Sequence, residues 1–231
     1  MKKKTFAVDI DGTITENGIG RINLDALSAL RHLTKTGHKV IFVSGRSSIE
    51  GYLLSIFAGT THIAVGENGG CITTSPTEHK LLGDKKECLD ALDLLKSKIK
   101  DVKEKPVFPR MTEVVLERTF DIESAKNVII ENDLGVNLSD SQYAYHINSK
   151  GIDKAHGFNE VMKMLSITPD DVIAIGDSAT DVPLFRLAKT SISLGNSSEF
   201  VKSQSSFSVG AKSGDGLIEA LDKLAPTLSE A

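Results

Sequence analysis

The sequence is short of three things: cysteine, an excess of basic charge, and any long apolar run. Only Cys71 and Cys88 occur, and neither has a Cys or His at metal-ligand spacing, so a disulfide framework and a zinc site both lack their residues. A reducing, cytoplasmic setting is expected. Lys and Arg number 27 against 31 Asp and Glu, a formal net charge of −4. That balance gives no electrostatic ground for nucleic acid or an anionic lipid surface as partner. The longest stretch without a formal charge, Gly51 to Gly66, contains Thr60, Thr61 and His62 and falls short of the roughly 20 apolar residues a bilayer requires. After Met1 and three lysines the apolar run reaches Asp9 almost at once, too soon for a signal-peptide core.

What is present is a chain of 231 residues, 40% apolar, enough for one large domain or two small ones. Thr5 to Val8 reads as a short strand ending in acids and Gly12. Leu24, Leu27, Leu30 and Leu33 then recur at helical spacing before Gly37. Val40 to Val43 predicts a second strand, Ile49, Leu53 and Ile56 one face of a second helix, and His62 to Val65 a third strand. Unbroken apolar strands alternating with helices are the pattern of a parallel sheet covered on both faces.

After Glu67-Asn68-Gly69-Gly70 the rhythm changes. A charged helix over Lys85 to Ile99, a strand near Thr112 to Glu117, a helix over Glu123 to Leu134 and a strand over Tyr143 to Ile147 make two helix-then-strand units. The first rhythm resumes with a helix carrying Phe158, Val161 and Leu165, the strand Val172 to Ile175, and a helix near Val182 to Leu187. A strand over Ser191 to Leu194 follows, then a last helix carrying Leu217, Leu221 and Leu224. The expected fold is α/β, a Rossmann-like parallel sheet core over 1–83 and 154–231, with a small α+β cap domain inserted over 84–153.

Ligands of open α/β sheets bind beyond the carboxyl ends of the strands. Those ends carry Asp9-Ile10-Asp11-Gly12-Thr13, Ser44-Gly45-Arg46, and Gly176-Asp177-Ser178 with Asp181 one turn on; Lys154 opens the helix after the insertion. Any single acid there could be a solvated loop residue or a helix cap. Four at one edge repel and raise one another's pKa unless a cation compensates. All-oxygen ligation with room for water points to Mg²⁺ as cofactor.

These four motifs, in this order, resemble those of the haloacid dehalogenase-like phosphatases. The S-G-R and E-N-G-G stretches and the cap between the second and third motifs resemble the Cof-like branch. The short cap and N-S-K-G-I-D-K resemble the archaeal-type phosphoglycolate phosphatases within it. The resemblance implies a Mg²⁺-dependent phosphomonoester hydrolase acting on a small phosphorylated metabolite. The expected substrate is 2-phosphoglycolate; a sugar phosphate or pyridoxal phosphate is the alternative, and a receiver-like phospho-accepting module the reading from another class. It implies that Asp9 is the nucleophile and Asp11 the general acid and base. Metal ligands would be Asp9, the Asp11 carbonyl, Asp177 and Asp181, the last directly or through a water. Ser44, Gly45, Arg46 and Lys154 would bind substrate, although Arg46 could equally pair with Glu50 at i,i+4. Asn68 either braces the active-site loops or serves only its turn. Arg110, Arg118 and Lys150 are candidate cations for the substrate carboxylate. A homodimer through an apolar patch is a further expectation. Two departures from the family pattern stand out: Thr180 replaces a usual Asn, and Ala155 a usual Gly.

Overall fold

The computed structural model describes residues 3–16, 20–141 and 143–230, with side chains as far as residue 226. The opening strand β1 (Thr5–Val8) is buried along its whole length, as expected of a strand with both sheet faces covered. Then come α1 (Leu24–Lys35), β2 (Lys39–Val43), α2 (Ser48–Ala58) and β3 (Ala64–Gly66). The Asn23 side chain caps α1 by accepting from the Ala26 amide. Ser47 and Glu50 form a reciprocal capping box at the start of α2. The buried face of α2 is made of small residues, Ser48, Gly51, Ser55 and Ala58, with Tyr52, so the helix packs close to the sheet. Ile49, Leu53 and Ile56, the apolar face predicted from the sequence, point to solvent with Phe57.

A hairpin, β4 (Cys71–Ser75) and β5 (Glu78–Leu81), follows β3 and extends the sheet antiparallel. It escapes a sequence reading because β5 is a polar edge strand, E-H-K-L, with no apolar alternation. Next come α3 (Lys85–Lys98), β6 (Glu113–Leu116), α4 (Ile122–Glu131), β7 (Val136–Asp140) and β8 (Tyr145–Ser149). The chain closes with α5 (Lys154–Leu165), β9 (Val172–Gly176), α6 (Val182–Leu187), β10 (Thr190–Ser193), α7 (Glu199–Ser203), β11 (Phe207–Ser208) and α8 (Ser213–Glu230). Helix α8 runs through Pro226, where the sequence leads one to expect fraying; Ala231 lies outside the described residues.

The large sheet has the order β11-β10-β9-β1-β2-β3-β4-β5, parallel from β11 to β3. One face is covered by α1 and α8, through Leu30, Leu217 and Leu221. The other is covered by α5, α6 and α7, through Phe158, Phe185 and Val201. The chain leaves β1 for β2 on one side and meets β9 on the other, so the order reverses at β1 and a crevice opens beyond its carboxyl end. The register sets Val8 beside both Phe42 and Ile175. The residues that follow these three strands are thereby brought to one edge.

The second sheet, β6-β8-β7, is antiparallel. Alternation is clean on β7 and β8 and broken on β6 by buried Val115. Val114, Leu116, Val136, Leu138, Tyr145 and Ile147 pack against α3 and α4. Glu113, His146, Asn148, Asn137 and Ser139 fall on the opposite face by the two-residue period. Two crossings join this unit to the large sheet, and the Asp84 amide donates to Ser149 Oγ at 2.8 Å between them.

Candidate active site

Asp9 follows β1 directly and its amide donates to the Ile175 carbonyl at 3.0 Å, which pins the residue against β9. Lys154, the first residue of α5, is 2% exposed, and its ammonium lies 2.7 Å from Asp9 Oδ1 and 2.7 Å from Asp181 Oδ1. Among the described residues, Asp9, Asp177 and Asp181 each bring a carboxylate oxygen within 4.8 Å of the others. Lys154 takes one oxygen of Asp9, and no other hydrogen bond reaches that carboxylate among the described residues.

Burial pushes Asp9 well above the ordinary carboxylate range; Lys154 pulls it down, and Asp181 and Asp177 push it up again. Asp177 is pushed up to about 7, first by burial and then by Asp181, against the opposing pull of Thr13 and Lys154. Burial also works against the Lys154 ammonium, but Asp181 and Asp9 outweigh it and hold the lysine protonated. Three carboxylates around one ammonium leave negative charge uncompensated. That imbalance, an all-oxygen donor set and a solvent-facing crevice fit a small divalent cation such as Mg²⁺.

Neighbouring groups fix these acids in orientation. Thr13 Oγ1 donates to Asp177 Oδ1 at 3.0 Å, and Asn196 Nδ2 donates to Asp177 Oδ2 at 2.8 Å and to the Gly12 carbonyl at 3.0 Å. Asp181 Oδ2 accepts from the amides of Asp177 and Ser178 and from Ser178 Oγ. Thr180, in place of the usual Asn, bonds Ser178 Oγ at 2.8 Å. Asn196 is absent from the sequence reading, yet it lies just past β10, where the rule that searched the other strand ends would have found it.

Asp11 and Arg46 form a second group beside the first. The Arg46 guanidinium holds Asp11 in a fork, Nε to Oδ2 and Nη2 to Oδ1, both at 2.7 Å, and Nη1 reaches Glu50 Oε1 at 3.1 Å. Arg46 is thus engaged with Glu50 and with Asp11 together. The hydrogen bond to Asp11 is the largest of the influences that raise its pKa further. Ser44 Oγ accepts from the Arg46 amide at 3.1 Å, and a Cβ on Gly45 would sit 3.1 Å from Asn68 Oδ1. Gly12 has φ +81°, a conformation that suits glycine.

The E-N-G-G turn joins the two sheets. Glu67, fully buried with φ +55°, accepts from the Met111 and Thr112 amides and from Thr112 Oγ1 at 2.7–2.9 Å. Asn68 Nδ2 reaches Glu113 Oε2 at 3.3 Å, and His146 Nδ1 lies 3.1 Å from the same oxygen. A Cβ on Gly69 would fall 1.8 Å from the Asp153 carbonyl, so only glycine lets this turn meet the start of α5. The matching close approach within α5 occurs at Gly157, where a Cβ would lie 2.7 Å from Gly69 Cα, while Ala155 is half-buried. The Ala155 departure therefore falls off the tight contact. Between β7, β8 and the large sheet lies a cleft of about 540 Å³, lined by Asn137, Ser139 and Asn148 on one side and Lys154, Thr180 and Pro183 on the other.

Residues 6–105 and 115–221 match the family model described as haloacid dehalogenase-like hydrolase. A protein of Nitrosopumilus maritimus named phosphoglycolate phosphatase is 66% identical over 230 residues, covering 100% of both chains. One of Archaeoglobus fulgidus with the same name is 34% identical and covers 97% of this chain and 98% of its own. A crystal structure from Thermoplasma acidophilum superposes with a TM-score of 0.86 at 24% identity, covering 97% of this chain and 99% of that one. That last likeness speaks to the fold alone. No helix among the described residues is long and apolar enough to cross a membrane.

Proposed function

The chain belongs to the haloacid dehalogenase-like hydrolases, and from that premise we propose that it is a Mg²⁺-dependent phosphatase whose substrate is 2-phosphoglycolate. The observation that carries the chemistry is the Asp9 carboxylate at the tip of β1, held through one oxygen by buried Lys154 and otherwise without a hydrogen bond among the described residues. The second oxygen is left to attack. The substrate name is supported by the two full-length relatives that bear it.

In this reading Asp9 attacks phosphorus, the bond to the leaving oxygen breaks, and an aspartyl phosphate forms. Asp11 gives its proton to the departing alkoxide, then takes one from the water that attacks phosphorus, releasing phosphate and restoring Asp9. To do so Asp11 must leave the Arg46 fork, in which both its oxygens accept, and take up a proton before it serves as the acid. Lys154, Ser44 and the Gly45 amide bind phosphoryl oxygens. Asp9, Asp177 and the Asp11 carbonyl would hold Mg²⁺. Asp181, with Oδ2 filled by three donors and Oδ1 by Lys154, would serve the ion from outside that set. When bound, Mg²⁺ neutralises the phosphate dianion and lets a carboxylate approach it. Residues 84–153 act as the cap that covers the leaving group and excludes water.

Phosphate release at fixed Mg²⁺ from phosphoglycolate and from sugar, nucleotide and cofactor phosphates tests the reading, with Asp9→Asn as the blank. A preference for phosphoglycolate of about a hundredfold in kcat/KM, near 3 kcal/mol, is expected. A preference of that size for a sugar phosphate or pyridoxal phosphate would replace the substrate and keep the chemistry.

A further inference from the structure

Three cations from the inserted unit could meet a carboxylate on the leaving group, and the structure separates them. Arg118 is 44% exposed, pairs with Asp140 at 2.8 Å and stands over the Tyr145 ring. Lys150 is exposed. Arg110 differs, because its side chain is only 8% exposed and its charge is buried against the core.

The Arg110 guanidinium lies 3.5 Å from Glu113 and 3.9 Å from Glu50, but neither approach has hydrogen-bond geometry. Its Nε and Nη1, and Glu113 Oε1 beside them, have no hydrogen-bond partner among the described residues. Buried guanidinium donors normally find acceptors, so this pocket is built for an acceptor that the chain does not supply. Two runs of side chains link it to the strand-end site. Glu50 holds Arg46 on its other oxygen, and Arg46 holds Asp11. On the opposite side Glu113 meets Asn68, which packs on Gly45. The Glu67 carboxylate clasps the amides of Met111 and Thr112, the next two residues, so the arginine is set in place before any ligand arrives.

Resting on the phosphatase reading above, we propose that Arg110 binds the carboxylate of the substrate's leaving group and makes the enzyme select small phosphomonoesters that carry one. A planar fork of donors matches a carboxylate in two parallel hydrogen bonds. Glu50 and Glu113 flank the guanidinium and repel further negative charge, so the pocket suits one carboxylate and no polyanion.

The test compares phosphoglycolate with ethyl phosphate, in which a methyl group replaces the carboxylate. The wild type is expected to favour phosphoglycolate, and in Arg110→Met the ratio of the two kcat/KM values should fall about thirtyfold, roughly 2 kcal/mol. Arg110→Lys keeps the charge without the fork and should lose part of the preference; it serves alone if circular dichroism shows Arg110→Met unfolded. Equal losses on both esters would make Arg110 a structural brace and overturn the inference while leaving the phosphatase reading standing. A wild type that does not distinguish the esters would do the same. Turnover of neither ester would overturn both.

Discussion

Two neighbouring clusters of acids and cations behave differently. Beyond the carboxyl end of β1, Asp9, Asp177, Asp181 and Lys154 are buried and tightly hydrogen-bonded, with contacts of 2.7 Å from Lys154 to two acids. Beneath the inserted unit, Asp11, Arg46, Glu50, Arg110 and Glu113 alternate in sign, and the series loosens from 2.7 Å at the Asp11–Arg46 fork to 3.5 and 3.9 Å at Arg110. The first cluster is fixed by parallel register, which leaves the strand ends no freedom. The second spans two units joined by a turn and two crossings, so its fit depends on how they meet. In the proposed reaction charge develops at the phosphorus, where pre-organised groups stabilise it most.

The sharpest way to break this contrast is at its rigid end. Asp9→Asn, nearly isosteric, should lower kcat by about 10⁴-fold or more while near-UV circular dichroism and the melting temperature stay close to wild type. An active variant that has not deamidated would remove Asp9 from the chemistry. Chelation should act as strongly: EDTA is expected to stop turnover and Mg²⁺ to restore it. Ca²⁺, larger and looser in coordination, should bind with little turnover, and full activity with Ca²⁺ would count against the proposed site.

Lys154→Met removes the one cation among three buried acids. Loss of about 3–5 kcal/mol is expected in urea unfolding without metal, as when a buried pair is broken. A variant of unchanged stability would show that the cluster needs no compensating charge.

A smaller effect follows from Asp177. Its folded pKa, about 7, lies above the ordinary 3.8, so the folded state binds more protons than the unfolded one between those values. Stability without metal should therefore fall as pH rises across that window. A bound divalent ion reverses the preference for the proton. Mg²⁺ should raise the melting temperature by several degrees near pH 8 and by much less near pH 5, and an equal rise at both would contradict the assignment.

Smallest is the joint between the clusters. Glu67→Gln keeps the shape but weakens acceptance from Met111 and Thr112, and a cost of about 1–3 kcal/mol in stability should accompany a higher KM with little change in kcat. A fall in kcat alone would place Glu67 with the rigid cluster instead.

Much of this was legible in the residues. Strand-end acids betray themselves by number, since four at one edge need a compensating cation, and the helix-then-strand units from Lys85 onward announce a second sheet. β7 was open to discovery, since Val136 and Leu138 alternate with Asn137 and Ser139. The polar edge β5 was not. The apolar face of α2 misled, because small residues bury as well as large ones when helix and sheet approach closely.

The sequence alone determined the α/β class and the likeness to a phosphohydrolase family, since local periodicity and motif order are written in adjacent residues. Tertiary structure alone decided that Asn196 braces Asp177, that Glu67 clasps the inserted unit, that Arg46 forks Asp11, and that Arg110 rather than Arg118 or Lys150 is buried beside the site. Each of these joins residues far apart in the chain, some along one edge of the large sheet and some across to the second sheet. No spacing in the chain encodes that distance; it is set when the apolar faces pack.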